Sequence, residues 1–265
     1  MNSYFGIFKM QFKSELQYRA KALSGIATQF FWGIMYICLY TAFMKDGEVN
    51  GFTLTQLTSF LWLQQAFFAM RYISVSSYVP SEIVNGNVCY RFVRPINIYN
   101  QWYAEYIGQK LASTLLRFAP ILIIAFLLPQ GFNMSLPVSI SAFALFVATL
   151  IIGFFMTGAL SIFAVNIIFK THSPRGAVGV VATFCSLLGG GYIPLPLMPD
   201  KLQMVLNYLP FRFVTDLPFR IYVGNIDIPT GLKYMAISMV WLVVLIILGK
   251  LVTRKNLKSA VIQGG

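Results

Sequence analysis

The stretch Val138–Phe169, VSISAFALFVATLIIGFFMTGALSIFAVNIIF, contains no charged residue and is apolar along nearly its whole length. An α-helix needs about 20 apolar residues to cross the hydrocarbon layer of a bilayer. An uninterrupted apolar run indicates a helix, because the strands of a membrane barrel alternate between apolar and polar residues. The stretch therefore predicts a membrane-spanning helix that is long enough to tilt.

Similar apolar blocks lie on both sides of this stretch. Together they predict six membrane spans, at about residues 22–44, 54–79, 111–128, 138–169, 176–193 and 232–251. The composition agrees, since 57% of the 265 residues are hydrophobic, only 11% are charged and the mean hydropathy is +0.70. Soluble domains carry about 25% charged residues. We therefore predict an all-α polytopic membrane protein that forms a single transmembrane domain over residues 1–265.

The chain before the first span, residues 1–21, predicts an amphipathic helix at the membrane surface. Phe5, Phe8, Phe12 and Leu16 recur at helical spacing, and basic residues occupy the opposite side. Such a helix lies in the interface and is attracted to anionic lipids.

Residues 194–224 predict a broken, re-entrant element that dips into the outer leaflet. The fifth apolar block ends in three glycines and is followed by three prolines: Gly189, Gly190, Gly191, Pro194, Pro196 and Pro199. Proline inside a helix removes a backbone donor and clashes with the preceding turn. We expect short helices here, since irregular backbone is tolerated at membrane depth only where protein or water covers it.

Three polar side chains inside the predicted spans are candidates for a transport pathway or for contacts between helices. They are Gln64 and Gln65 in the second span and Arg117 in the third. Amides can join membrane helices through hydrogen bonds worth about 1 kcal/mol. Arg117 lies about 10 Å deeper than Lys110 at the helical rise per residue. Its side chain can snorkel back to the surface, contact another helix or meet a substrate.

The stretch between the second and third spans, Ser81–Asn97 (SEIVNGNVCYRFVRPIN), is polar enough to lie outside the membrane. It carries an acid, a helix-breaking glycine, two arginines and a proline: Glu82, Gly86, Arg91, Arg94 and Pro95. The planar fork of arginine is suited to pairing with a partner protein. We interpret the stretch as a cytosolic segment that receives force from another protein. The alternative is that its arginines bind lipid phosphates and fix the topology.

The basic residues predict the orientation of the chain. The net charge is +12, from 20 Lys and Arg against 8 Asp and Glu. Most of the basic residues lie at the two termini or in connections on the same side, and the positive-inside rule places that side in the cytosol. This distribution explains the charge without a nucleic-acid partner. The residues are Lys9, Lys13, Arg19, Lys21, Arg71, Arg91, Arg94, Lys110, Lys170, Arg175, Lys250, Arg254, Lys255 and Lys258.

Motifs for catalysis and for nucleotide binding are absent from the sequence. There is no G-x-x-x-x-G-K-[ST] and no H-E-x-x-H, and Cys38, Cys89 and Cys185 fit no metal-binding spacing. No carboxylate lies in a predicted span, although carriers coupled to protons or sodium usually need one. We predict no catalytic residue, no metal and no cofactor bound by this chain, so uphill transport would need a separate ATPase.

This order of parts resembles the type-two ABC exporter permeases over nearly the whole chain. The motifs that carry the resemblance are Glu82-Ile83 with Gly86 and Arg94-Pro95-Ile96, then Gly191–Pro199 (GYIPLPLMP) continuing into Leu209-Pro210-Phe211 and Leu217-Pro218, and finally Gln263-Gly264-Gly265.

The resemblance implies that residues 80–97 form a coupling helix that sits in a cleft of an ABC ATPase. It implies that residues 194–224 form re-entrant outer helices, with the glycines and prolines named above as an outer gate. It also implies a second homologous permease, with a heterodimer favoured over a homodimer, and ATP and magnesium bound by the ATPase alone. The location is then the bacterial plasma membrane, with both termini cytosolic.

The implied function is ATP-driven export of an amphipathic small molecule, drug or peptide. Two alternatives remain at this point. In the first, the exporter carries a lipid-linked glycan. In the second, the chain is an ATP-independent intramembrane enzyme or channel.

Overall fold

The computed structural model describes residues 3–43, 48–49, 51–75, 78–91, 93 and 95–258. Arg94 and the closing Gln263-Gly264-Gly265, which were singled out above, lie outside the described residues.

The described residues are mostly helical. In chain order the α-helices are α1 (Ser3–Leu16), α2 (Arg19–Phe43), α3 (Leu54–Ala66), α4 (Phe68–Arg71), α5 (Tyr78–Val84), α6 (Ile98–Leu127), α7 (Ile140–Thr171), α8 (Pro174–Leu188), α9 (Asp200–Leu206), α10 (Arg212–Thr215), α11 (Leu217–Tyr222) and α12 (Ile228–Lys258). Two 3-10 helices, Asn87–Arg91 and Leu195–Leu197, and a two-stranded antiparallel ribbon, β1 (Glu48–Val49) and β2 (Phe52–Thr53), complete the elements.

Four of these helices are long and apolar enough to cross a membrane, within the part of the chain that the structure describes. They are α2, α6, α7 and α12. The predicted second span is divided between α3 and α4, and the fifth corresponds to α8, which has 15 residues. At about 1.5 Å per residue, α8 is shorter than a hydrocarbon layer of about 30 Å. The fold is thus a helical membrane protein, and the number of six spans stays a prediction.

The predicted second span extends beyond the helix that the structure contains. α3 and α4 lie end to end, because the backbone N–H of Phe67 still donates to the carbonyl oxygen of Leu63 at 3.0 Å. The helix then ends at Arg71, whereas the apolar pattern placed the boundary near Val79. Residues 72–75, which follow α4, are not helical.

The end of α4 is stabilised by a lysine from α6. The ammonium group of Lys110 donates to the carbonyl oxygens of Ala69 and Tyr72, at 3.1 and 2.9 Å. Carbonyl groups in the last turn of a helix have no partner within the helix, and a basic side chain can satisfy them. Lys110, which the charge pattern assigned to the cytosolic surface, is therefore buried between two helices.

The predicted N-terminal helix corresponds to α1, which packs along the first half of α6, and its position at the membrane surface stays a prediction. The backbone of α1 comes very close to Gly108, because an added Cβ there would lie 2.5 Å from the carbonyl oxygen of Phe8. Further along, the side-chain amide of Gln109 donates to Glu15 at 3.4 Å. Phe8 packs against the main core, whereas Phe5 stays exposed.

An aromatic cluster joins the long helices to the short ones. The ring of Phe219 on α11 is fully buried, and its centroid lies 6.0 Å from that of Phe67 and 6.4 Å from that of Phe146. Phe118 of α6 stacks on Phe67 at 5.6 Å. Each such aromatic pair contributes about 0.5–1.5 kcal/mol beyond the burial of its area. α11 is thus packed into the core of the protein.

The alanine substitution Gly108→Ala is expected to destabilise the protein by about 1–3 kcal/mol, because its Cβ would collide with the backbone of α1. The substitution Gly6→Ala on α1 is the matched control, since nothing lies within 4 Å of its Cβ. Thermal unfolding of the detergent-solubilised chain measures both. Equal unfolding temperatures for the two variants would contradict the packing of α1 against α6.

Candidate functional site

The segment between α4 and α6 contains two short helical turns separated by a glycine. α5 ends at Val84, and the 3-10 helix begins at Asn87. Gly86 lies between them with φ of +72°, in the left-handed region that glycine enters without a steric cost. This turn folds the chain back on itself, and it brings Arg91 towards Glu82 on α5.

Arg91 forms ion pairs with two carboxylates. Its Nε donates to Glu82 Oε2 at 2.6 Å, and its Nη1 donates to Glu105 Oε1 at 2.8 Å. The side chains of Arg91, Glu82 and Glu105 are only 6%, 13% and 12% exposed. Burial alone would lower the pKa of Arg91, but the hydrogen bonds and charges of Glu105 and Glu82 outweigh it and raise that pKa. We call these three residues the arginine clamp.

The arginine clamp attaches the segment to the start of α6. Glu105 lies on α6, fourteen residues from Arg91 in the chain. Its carboxylate also accepts a hydrogen bond from the side-chain amide of Gln101 at 3.0 Å. The bidentate geometry of arginine suits two carboxylates that approach from different elements. The clamp therefore ties the segment to α6.

In the structure Glu82 and Arg91 pair with each other, and their predicted contact with a partner protein stays a prediction. Both charges are turned inward and neutralise each other, because the turn at Gly86 brings them together. Pro95 is exposed. Glu105 was missed in the sequence because it lies among the aromatic residues at the start of α6, and its only signal is an acid near a basic segment.

The outer side of the segment is apolar and aromatic. Tyr90 and Val93 are 72% and 83% exposed, and Tyr78 and Val84 are exposed as well. The guanidinium of Arg91 lies 5.6 Å from the ring centroid of Tyr78. A hydrogen bond to Glu82 raises the pKa of the Tyr78 phenol. Exposed apolar groups of this kind are available for contact with another protein.

The glycines at the end of α8 allow three elements to meet. A Cβ on Gly189 would lie 2.5 Å from Thr215 Oγ1 and 2.7 Å from the carbonyl oxygen of Phe211. The Thr215 hydroxyl donates to the carbonyl oxygen of Gly189. Gly190 has φ of +79°, which favours glycine. α8 therefore ends where the backbone of α10 approaches it.

Gln64 on α3 completes this junction. Its side-chain amide donates to the carbonyl oxygens of Gly190 and Thr215, at 3.2 and 3.4 Å. It thus lies at a contact between helices. Gln65 is buried beside it.

Arg71 also reaches the junction. Its Nε donates to the backbone oxygen of Gln64 at 3.1 Å, and its Nη1 lies 2.8 Å from the position that a Cβ on Gly191 would occupy. The charge pattern assigned Arg71 to the cytosolic surface, but the side chain is buried and points back along α3.

The prolines lie at the start of short helices, or inside one, within the predicted re-entrant segment. Pro194 precedes the 3-10 helix, Pro196 is buried within it, and Pro199 precedes α9. The side-chain amide of Gln203 donates to the carbonyl oxygens of Pro196 and Met198, at 3.3 and 2.7 Å. These bonds satisfy carbonyl groups in a stretch that lacks regular structure.

A buried ion-pair network holds α10 and α11 together. Asp216 is fully buried, with Arg212 Nε at 3.1 Å and Arg220 Nη1 at 3.6 Å from its Oδ2. The guanidinium of Arg212 lies over the ring of Tyr234 on α12, at 4.2 Å. The three charges on α10, α11 and the residue between them are therefore paired inside the protein.

Arg117 contacts the start of α2. Its Nη2 donates to the carbonyl oxygen of Lys21 at 3.1 Å, and its guanidinium packs on Gly25. Three roles were predicted for Arg117, and the one that the structure contains is a contact with another helix.

The long apolar helices define a multi-pass helical membrane protein. A family model described as ABC-2 family transporter protein matches residues 30–264, and the chain belongs to this family. No curated protein matches the chain. Membership supports a transport subunit that associates with ABC ATPase subunits.

The substitution Arg91→Leu is expected to destabilise the protein by about 3–5 kcal/mol, because it leaves two carboxylates buried without a cation. Hydrogen exchange in residues 81–91 should become faster, and the unfolding temperature should fall. The exposed Arg175→Leu is the control. The clamp would be refuted by an Arg91→Leu variant whose segment exchanges as slowly as that of the wild-type chain.

Proposed function

We propose that the chain is the permease subunit of an ATP-driven exporter in the bacterial plasma membrane. It functions beside a second, related permease, and ATP and magnesium bind to a separate ABC ATPase. Both termini lie in the cytosol. The observation that carries the proposal is the apolar tip of the segment, Tyr90 and Val93, which is exposed while its base is fixed to α6 by the arginine clamp.

The arrangement of the segment is suited to transmitting a displacement from a partner protein to α6. A partner that binds the tip acts on the backbone of residues 87–91, and the clamp passes the displacement to α6 through Glu105. A segment held by flexible contacts would absorb such a displacement. Because family membership brings an ATPase as partner, we assign the tip to the ATPase cleft. This assignment replaces the charged residues with apolar ones as the groups that touch the partner.

An apolar cavity supports an amphipathic cargo. A volume of about 600 Å³ lies between α4, α6 and α7, and it is lined by side chains such as Phe118, Leu150 and Phe154. Cavities of 300–1,000 Å³ are typical of sites for small molecules. We therefore propose a cargo with a large apolar part, in the class of drugs and small amphipathic molecules or peptides.

The aspartate substitutions Tyr90→Asp and Val93→Asp are expected to abolish copurification of the ATPase with the tagged chain. A carboxylate at the tip would have to be buried in an apolar contact without a cation. The measurement is the amount of ATPase recovered from membranes that contain both proteins, together with ATP-dependent efflux of an amphipathic dye from the same cells.

The matched control is Ser14→Asp, which adds the same charge at an exposed position on α1. It should leave recovery and efflux unchanged. Full recovery of the ATPase with both tip variants would contradict the proposal. Efflux that continues without ATP would contradict the use of an ATPase.

A further inference from the structure

A basic cavity lies where α1, α2, α4 and α6 come together. Its volume is about 160 Å³, and its wall contains three basic side chains, Lys21, Lys110 and Arg117. Among the described residues that line it, Glu15 is the one carboxylate. The cavity is distinct from the coupling segment and from the apolar cavity.

The basic groups retain donors that no described residue uses. The ammonium of Lys110 has three N–H donors, and two of them are taken by the carbonyl oxygens of Ala69 and Tyr72. Arg117 donates through Nη2 to the backbone carbonyl oxygen of Lys21, while its buried Nε has no hydrogen-bond partner among the described residues. A buried donor without a partner costs about 1–3 kcal/mol. The cavity therefore favours a ligand that accepts hydrogen bonds.

The charges at the cavity do not balance. Glu15 Oε1 pairs with Lys21 Nζ at 2.8 Å, and Glu15 Oε2 accepts from Gln109 at 3.4 Å. One carboxylate thus faces three basic side chains. An excess of positive charge beside apolar helices favours an anion with several acceptor oxygens, and a phosphate group meets this requirement.

The surroundings of the cavity match the boundary between headgroups and acyl chains. The Lys21 side chain is about half exposed at the start of α2, and Leu23 two residues later is exposed. Phe68 and Tyr72 line the same cavity, and their rings stack at 5.3 Å. Aromatic side chains are enriched at this depth of a membrane. Polar and apolar surfaces therefore lie side by side, as a phospholipid requires.

We propose that this cavity binds the phosphate of an anionic phospholipid in the inner leaflet. The phosphate oxygens accept hydrogen bonds from Lys110 and Arg117, and the acyl chains lie along Leu23 and the aromatic side of the cavity. The lipid then joins α1, α2, α4 and α6, which meet at this point. The site goes beyond the proposed export function, and it rests on the chain lying in a membrane with this end of α6 at the cytosolic side.

The test is a titration of the purified full chain in detergent, followed by native mass spectrometry. The ligands are dioleoylphosphatidylglycerol, dioleoylphosphatidylcholine and inorganic phosphate. We expect phosphatidylglycerol to bind most tightly, because the choline cation would be repelled. Raising the salt concentration should weaken its binding.

Two substitutions that change the charge of the cavity in opposite directions keep the test independent of folding. Ser113→Asp places a carboxylate in the cavity wall and should weaken binding of phosphatidylglycerol about tenfold, in line with the loss of one charge-assisted interaction. Glu15→Gln removes the one acid and should tighten binding, which a merely damaged protein would not do. The control Lys233→Gln removes an exposed charge elsewhere on α12 and should have no effect.

Equal affinity of the wild-type chain and Ser113→Asp for phosphatidylglycerol would overturn the site, as would weaker binding by Glu15→Gln. If inorganic phosphate binds as tightly as phosphatidylglycerol, the cavity is a site for a free anion, and the proposal that it binds a lipid is overturned. Tight binding of phosphatidylglycerol that follows the two substitutions in the expected directions supports the proposal.

Discussion

The guanidinium of Arg91 lies between two carboxylates that come from different elements, and the position of the segment between α4 and α6 depends on it. Ions that leave water lose several kcal/mol of solvation each, and only close partners with good geometry offset that loss. The bonds of 2.6 and 2.8 Å to Glu82 and Glu105 provide those partners. The segment is therefore joined to α6 through a contact that needs all three groups in place.

The same physical solution recurs at the short helices after α8. Asp216 lies between Arg212 and Arg220 without exposure to solvent, while Gln64 and Arg71 satisfy backbone oxygens at the end of α8 and in α3. Polar groups in apolar surroundings are costly unless they find partners, so each of these groups fixes the relative position of two elements. The long helices then provide the scaffold, and the aromatic cluster around Phe219 packs the short helices onto it.

The long helices could be predicted from the sequence because apolar runs identify membrane helices without reference to tertiary structure. α7 and α12 lie close to the predicted spans. The breaks at the Gly and Pro residues were likewise visible, because these residues act locally. The partners of charged residues could not be predicted. Glu105 meets Arg91 only after the chain turns at Gly86, and Lys110 and Arg71 look like surface charges until α4 is known to end beside them. The family match over residues 30–264 agrees with the resemblance seen in the motifs.

The central claim is that the segment between α4 and α6 is rigidly attached to α6, and one distance tests it. Spin labels at Asn87, on the 3-10 helix that carries Arg91, and at Leu115, both exposed, would be introduced into a chain whose cysteines Cys38, Cys89 and Cys185 are replaced by alanine. Pulsed electron–electron double resonance on the chain assembled with its ATPase gives the distance distribution with and without ATP. We expect one narrow distribution that is the same in both states, because the segment and α6 move together. A distribution that broadens or shifts when ATP binds would contradict the account.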